Sequence, residues 1–271
     1  MAKIVLITGI SSGFGKATAA ILAGKGNIVY GISRKQITDL TAGIKVLQAD
    51  VTDAVSVQKA VAILLEKEGR IDVLINNAGM GISGSIEDSS PADISLQMNT
   101  NFNGYVNMIQ AVLPPMRKQN EATIVNISSI GGLMGLPYQG FYSASKFAVE
   151  GLSEALRMEL IPYNVKVIVI QPGDFFTNFT ANRKPVQKSG AGGAYENQFQ
   201  KSLAIIEKDE KGGLSPDFLA KKLSRILEQK NPCHHYIIAT LEQKFAVLLK
   251  RILPGSWFSK ILSSHYGIKA S

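Results

Sequence analysis

The chain has 271 residues, of which 45% are hydrophobic and 18% charged, with 25 glycines and one cysteine, Cys233. This composition suits one large soluble α/β domain, and a single cysteine excludes an internal disulfide framework. The net charge is +8, and from Lys221 onward nine Lys/Arg stand against two acids, Glu228 and Glu242; this surplus fits a solvated basic face, an anionic small molecule or a membrane surface, whereas basic residues mixed with apolar ones argue against nucleic acid.

Residues 3–8 predict a strand buried on both faces. No signal-type segment precedes it, and no apolar run reaches the roughly 18–20 residues of a membrane span. A cytoplasmic protein is expected, with membrane association left open. The turn Thr8-Gly-Ile-Ser-Ser-Gly-Phe-Gly15 follows directly and opens a helix over residues 16–24. Gly9 permits the tight turn, and Gly13 and Gly15 permit close backbone approach. Gly9, Ser11, Ser12, Gly13, Phe14 and Gly15 thus form a candidate pyrophosphate cradle at a helix N-terminus.

Residues 27–32 predict the second strand. An NAD-binding fold usually carries an acid at its end; here the chain reads Ser33-Arg34-Lys35. An acid would repel a 2′-phosphate and Arg grips one, so NADP(H) is expected in preference to NAD. A third strand over 46–49 ends at Asp50-Val51. Asp50 is a candidate acceptor for the adenine amino group, or else belongs to the cap of a helix over 55–68. The fourth strand, 72–76, leads into Asn76-Asn77-Ala78-Gly79, whose small and amide residues suit backbone approach to the nicotinamide-side ribose.

A helical pattern over about 94–119 carries Asn101. Strand 123–127 leads to Ser129, helix 142–160 carries Tyr142 and Lys146, and strand 165–171 leads to Pro172-Gly173. Alternation of strands and helices predicts a single-domain Rossmann-type α/β fold over residues 1–271: a doubly wound parallel sheet with ligands at its carboxyl ends. Tyr142 and Lys146, at i and i+4, share one helix face. A cation held beside a phenol favours the phenolate and draws its pKa toward neutrality, which suits proton transfer.

After Gly173 the rhythm breaks. Residues 175–215 predict a variable substrate lid with a helix near 195–208. A helix over 216–229 and a strand over 236–239 follow, then a helical extension over 242–271. Leu133, Met134, Tyr138, Phe175, Phe176 and Phe179 are candidates for an oily pocket, or in part for the core. The extension has three readings: packing on the lid, a subunit interface, or a membrane surface approached through Lys244, Lys250, Arg251 and Lys260. His234-His235 beside Cys233 reads as a turn before a strand, so no metal site is expected.

Thr8-Gly-x-x-x-Gly-x-Gly15, Asn76-Asn-Ala-Gly79, Asn101-x-x-Gly104, Ser129, Tyr142-x-x-x-Lys146 and Pro172-Gly173 resemble, in order and spacing, the motifs of the short-chain dehydrogenase/reductase family over about residues 3–180. The stretch from Ser129 to Gly151 looks most like hydroxysteroid (17-beta) and retinol dehydrogenase-like members. The resemblance implies roles for the matched residues. Tyr142 is the general acid/base, Lys146 lowers its pKa and holds the nicotinamide ribose, and Ser129 donates to the substrate oxygen. Asn101 holds a water behind the lysine, Pro172 and Gly173 border the nicotinamide, and Thr177 bonds its carboxamide. It also implies a homodimer or homotetramer formed through the helices bearing Asn101 and Tyr142. The expected function is NADP(H)-dependent interconversion of a carbonyl and an alcohol, on a lipophilic, steroid-, retinoid- or lipid-like small molecule. The alternatives are a 3-oxoacyl or small-carbonyl reductase, and a low-turnover NADP-binding regulatory protein.

Overall fold

The computed structural model describes residues 2–37, 39–190 and 192–268. The chain begins with β1 (Ile4–Thr8), α1 (Gly13–Gly24), β2 (Ile28–Ser33), β3 (Ile44–Gln48), α2 (Ala54–Glu68), β4 (Val73–Asn76) and a two-residue β5 (Ile82–Ser83). It continues through α3 (Pro91–Met98), a π-helical turn at Asn99–Asn103, α4 (Gly104–Gln119), β6 (Ala122–Ile127), α5 (Gly140–Glu159) and β7 (Val165–Pro172). The remainder contributes α6 (Asn178–Ala181), β8 (Lys184–Pro185), α7 (Gln187–Gly190), α8 (Glu196–Lys211), α9 (Pro216–Ile226), β9 (His235–Ile238), α10 (Leu241–Ile252) and α11 (Gly255–His265).

Seven parallel strands form one sheet in the order β3-β2-β1-β4-β6-β7-β9. Successive side chains of a strand point to opposite faces. Ile4 and Leu6 of β1 accordingly join a core with Leu64 of α2 and Met108 and Val112 of α4. Val5 and Ile7 join the other core, with Leu22 of α1 and Leu219 and Leu223 of α9. Burial on both faces explains why these strands read as unbroken apolar runs. The chain winds outward from β1 in one direction and from β4 in the other. The switch between them opens a crevice at the carboxyl ends of β1 and β4.

Two local devices set the site. Asp53 caps α2, accepting from the Val55 and Ser56 amides at 2.9 and 3.2 Å, and Gly69 ends that helix with φ 71°. The helix expected over 94–119 is broken: α3 and α4 flank the π-helical turn that contains Asn101. Gly104 follows because Val51 packs there, 2.9 Å from where a Cβ would stand.

The segment after β7 differs most from expectation. β5 pairs in parallel with β8, Ile82 with Lys184 and Ser83 with Pro185, and straps the start of the lid to the end of β4. α8 extends three residues beyond the expected helix end, to Lys211. Within the expected helical extension, residues 257–262 form part of α11.

Candidate active site

The first turn is built for backbone contact. Gly9 and Gly13 take φ of 72° and 54°, values that favour glycine. A Cβ on Gly15 would collide with the Gly9 carbonyl, so α1 starts hard against the end of β1. Its N-cap, Ser12, makes no side-chain cap bond and its first turn carries no acid. That leaves the positive end of the helix for a ligand's negative charge. A cavity of about 540 Å³ opens there, with Ser11, Ser12, Gly13, Lys16, Thr177 and Lys211 in its lining. Small backbone, hydroxyls and two cations fit the phosphates of a dinucleotide.

Several candidates in this region also hold the turn itself. The Phe14 ring packs edge-on against Phe175, centroids 4.8 Å apart, within the α1 core. Its backbone alone therefore belongs to the cradle. Asn77 Nδ2 donates to the Thr8 and Gly9 carbonyls at 2.8 and 3.2 Å, and the Asn77 and Ala78 amides donate to Thr8 Oγ1 at 2.9 Å. These bonds tie the ends of β1 and β4 together and leave Ala78 and Gly79 as the open backbone. Asp50 Oδ1 accepts from the Thr52 amide and hydroxyl at 2.9 and 2.8 Å. Val51 is buried against Gly104 and its carbonyl accepts from Asn107 at 2.9 Å, so its side chain is core.

At the end of β2, Ser33 Oγ accepts from the Lys35 amide at 3.3 Å, and Arg34 and Lys35 are exposed. The nearest acid in sequence, Asp39, lies 2.9 Å from Lys16. Thr177 caps α6 by accepting from the Phe179 amide at 3.1 Å. Its Cβ stands 3.7 Å from the Cβ that Gly13 lacks, which brings the lid to the glycine turn. Gly173 is hemmed in by Gln243 and Ala239, where a side chain would not fit.

The candidate catalytic groups gather at the ends of β4, β6 and β7. Ser129 Oγ accepts from the Gly131 amide at 3.0 Å and donates to the Pro172 carbonyl at 3.5 Å, and its hydroxyl draws the Tyr142 phenol pKa downward. Lys146 lies on the same face of α5, its Nζ 5.9 Å from the Tyr142 ring centroid. That Nζ donates to the Ile127 carbonyl at 2.8 Å, an acceptor it shares with the Tyr105 hydroxyl at 3.0 Å. Burial pushes the Tyr142 phenol up to about 12, opposed by the Ser129 hydroxyl. Burial also pulls Lys146 down to about 8, opposed by Glu150. The spacing alone predicts a phenol lowered by its lysine. Burial sets the direction here, and the lysine, itself desolvated and bound to a carbonyl, is not among the groups that shift the phenol.

Asn101 is fully buried. Its Oδ1 accepts from the Met80 amide and its Nδ2 donates to the Met80 carbonyl, both at 2.9 Å. Nδ2 also lies 3.2 Å from Ser145 Oγ, which donates to the Tyr142 carbonyl at 2.6 Å. The π-helical turn thereby clamps the loop after β4 to the tyrosine-bearing helix, as such turns often do at functional sites.

Three charged residues of the site escaped the sequence reading because they lie after Gly173, where no motif marks them. Arg183 is 8% exposed and pairs with Glu210. Its guanidinium stands 5.7 Å from the Phe179 ring, which is itself 5.7 Å from the Tyr142 ring. Arg183 Nε and Nη1 have no hydrogen-bond partner among the described residues. Thr180 Oγ1 donates to Glu210 Oε2 at 2.6 Å. Burial, then the charges of Glu210 and Asp209, push the Asp174 carboxyl up to about 6. Of the oily candidates, Met134 and Phe175 are core at 2% and 4% exposure, and Phe176 is 63% exposed. Tyr138 stacks on Phe199, and Leu133 packs beneath the C-terminal helices. Phe179 alone of the six meets the Tyr142 ring, edge-on.

A model of the short chain dehydrogenase family matches residues 3–188. The chain belongs to the short-chain dehydrogenase/reductase family. It is an oxidoreductase, and its matched portion holds both the glycine turn and the Ser129–Tyr142–Lys146 group. The 3-ketodihydrosphingosine reductase of Bacteroides thetaiotaomicron is 49% identical, over 98% of this chain and 99% of its own. Human retinol dehydrogenase 8 is 36% identical over 65% of this chain and 60% of its own. A short-chain dehydrogenase structure from Streptomyces avermitilis is similar at TM-score 0.84 and 27% identity, covering 97% of this chain and 98% of that one. Family structures of this fold carry NADP in some cases and NAD in others.

Proposed function

We propose that this chain is an NADPH-dependent reductase of a long-chain amino ketone, 3-ketodihydrosphingosine or a near analogue. The observation that carries the substrate reading is that the likeness to the Bacteroides reductase runs through the lid and both C-terminal helices. Those are the parts of the chain that the shared motifs leave free to choose a substrate. The charge distribution supports it. A sphingoid ketone has an ammonium and a hydroxyl beside its carbonyl, and Asp174, Glu210 and Arg183 give the Tyr142 end of the site groups for both. A steroid ketone or retinal carries no ammonium for those carboxylates.

The bound dinucleotide would supply the hydride; the chain supplies position and a proton. Ser129 donates to the carbonyl oxygen and polarises it, Tyr142 gives that oxygen its proton, and Lys146 is the cation behind the phenol. Asn101 keeps the loop after β4 in register with α5. Arg34, exposed at the end of β2, supports NADPH over NADH. Arg34→Ala is expected to weaken NADPH binding at least tenfold, by roughly the 1.4 kcal/mol of a partly exposed charge-assisted contact, with NADH binding unchanged in a fluorescence titration. Equal weakening of both would reject that role.

The substrate is tested by following NADPH oxidation over a panel of carbonyl compounds. The expected result is a kcat/KM for 3-ketodihydrosphingosine at least about tenfold above that for a 3-oxoacyl thioester or retinal, the size of one well-placed polar contact. Preference for either of the others would overturn the reading.

A further inference from the structure

The last two helices have two unlike faces. The inner face carries Val247, Leu249 and Leu253 of α10 and its following turn, with Phe258 and Leu262 of α11. It packs on Ile130, Leu133, Met134 and Leu136, the loop that follows Ser129. Gln243 of α10 also donates to Asp174, beside Gly173. The helix pair therefore borders the mouth of the site.

The outer face is apolar without being covered by any described residue. Leu241, Phe245, Leu248 and Ile252 are 83%, 58%, 50% and 64% exposed. Their spacing of i, i+4, i+7 and i+11 places all four on one stripe of α10. Trp257 and Ile261, at i and i+4 of α11, continue it at 63% and 50% exposure. Scattered exposed apolar residues are ordinary, whereas a contiguous stripe of six is a contact surface. Lys244, Lys250, Arg251 and Lys260 are all exposed, and Glu242 is the one acid between residues 241 and 268. Lys244 and Arg251, seven apart, run along one edge of the α10 stripe, and Lys260 follows Trp257 by three. Cations beside large apolar side chains and an exposed tryptophan match the interface of an anionic bilayer, with rings among the acyl chains and ammonium groups at the phosphates. Among the described residues no helix is long and apolar enough to cross a membrane, so the contact is peripheral.

We propose that the outer face of α10 and α11 docks on an anionic lipid bilayer, setting the mouth of the site against the membrane that dissolves its lipophilic substrate. The benefit to turnover rests on the amino-ketone reading above; the docking itself does not, and its deciding readout is vesicle binding rather than turnover of a sphingoid ketone. The full chain is mixed with phosphatidylcholine vesicles containing about 30 mol % phosphatidylglycerol, or none, and sedimented. Trp257, the one tryptophan, reports insertion by its emission. Expected are co-sedimentation with the anionic vesicles, a blue shift, and release by salt. Each of Lys244→Gln, Arg251→Gln and Lys260→Gln should weaken binding roughly fivefold. Phe245→Ser with Leu248→Ser should abolish it while reduction of a water-soluble ketone persists. These side chains are exposed, so the fold tolerates their loss. A chain that stays in the supernatant with unshifted emission overturns the proposal. So does a dimer in light scattering that the Phe245→Ser, Leu248→Ser variant converts to monomer, since the stripe would then join two copies.

Discussion

Tyr142 is held in its neutral form by burial, and the Ser129 hydroxyl works against that burial. A neutral phenol is the form that can give a proton to a carbonyl oxygen. Tyr142→Phe is expected to lower kcat by roughly 10²–10⁴ with NADPH affinity near normal. Ser129→Ala should cost roughly 10²–10³. Turnover within about threefold of wild type, the small effect expected of a substitution away from the chemistry, would exclude either role. Asp174 makes a prediction about stability. Its folded pKa, about 6, is above the ordinary carboxylate value, so the fold prefers the protonated form. The stability tied to that proton is fully present below about pH 4 and is lost as pH rises through 6. Asp174→Asn should therefore stabilise the protein at pH 8 by about 1–2 kcal/mol, a gain that fades on acidification to pH 4. Urea unfolding at the two pH values measures it, and an equal gain at both would contradict the assignment.

At the scale of elements, the strands and the helices that cover them were legible because burial on both faces leaves unbroken β-branched runs between helical patterns. Gly9, Gly13 and Gly15 were legible for a steric reason, visible in the fold as a positive φ or a blocked Cβ. The π-helical turn at Asn99–Asn103 was not: an extra residue in a helical turn leaves no period in so short a stretch. The β5–β8 strap was hidden because two-residue strands about 100 residues apart in sequence carry no local signal. Arg183, Glu210 and Asp174 were missed for the same reason, since only the folded lid brings them to Tyr142. Asp50 and Asn77 also carry hydrogen bonds within the fold, to Thr52 and to Thr8 and Gly9, that spacing could not show. The α2 cap separates structure from chemistry. Asp53→Ala removes the bonds to Val55 and Ser56 and should destabilise the fold by about 1 kcal/mol, read as a lower midpoint in urea, with KM and kcat unchanged.

For the whole molecule, the two C-terminal helices and the back of α5 are distinct surfaces. Phe147 and Met158 share a face of α5 and Ile161 follows its end, at 46%, 59% and 78% exposure. We infer that this face joins two copies of the chain. Light scattering should give a dimer or tetramer, and Met158→Glu should shift it toward monomer; a wild-type monomer would refute the inference. The parallel sheet holds all of this in one frame, with the glycine turn, Ser129 and Tyr142 at one edge and the lid and α10 closing over them. The central claim is that this edge reduces a sphingoid ketone with NADPH. It is tested most directly by incubating the purified chain with NADPH and 3-ketodihydrosphingosine and quantifying both NADPH loss and product by mass spectrometry. The account predicts dihydrosphingosine in a one-to-one ratio with NADPH consumed, and none from Tyr142→Phe. NADPH loss no faster than in buffer, or product formation that survives Tyr142→Phe, would contradict it.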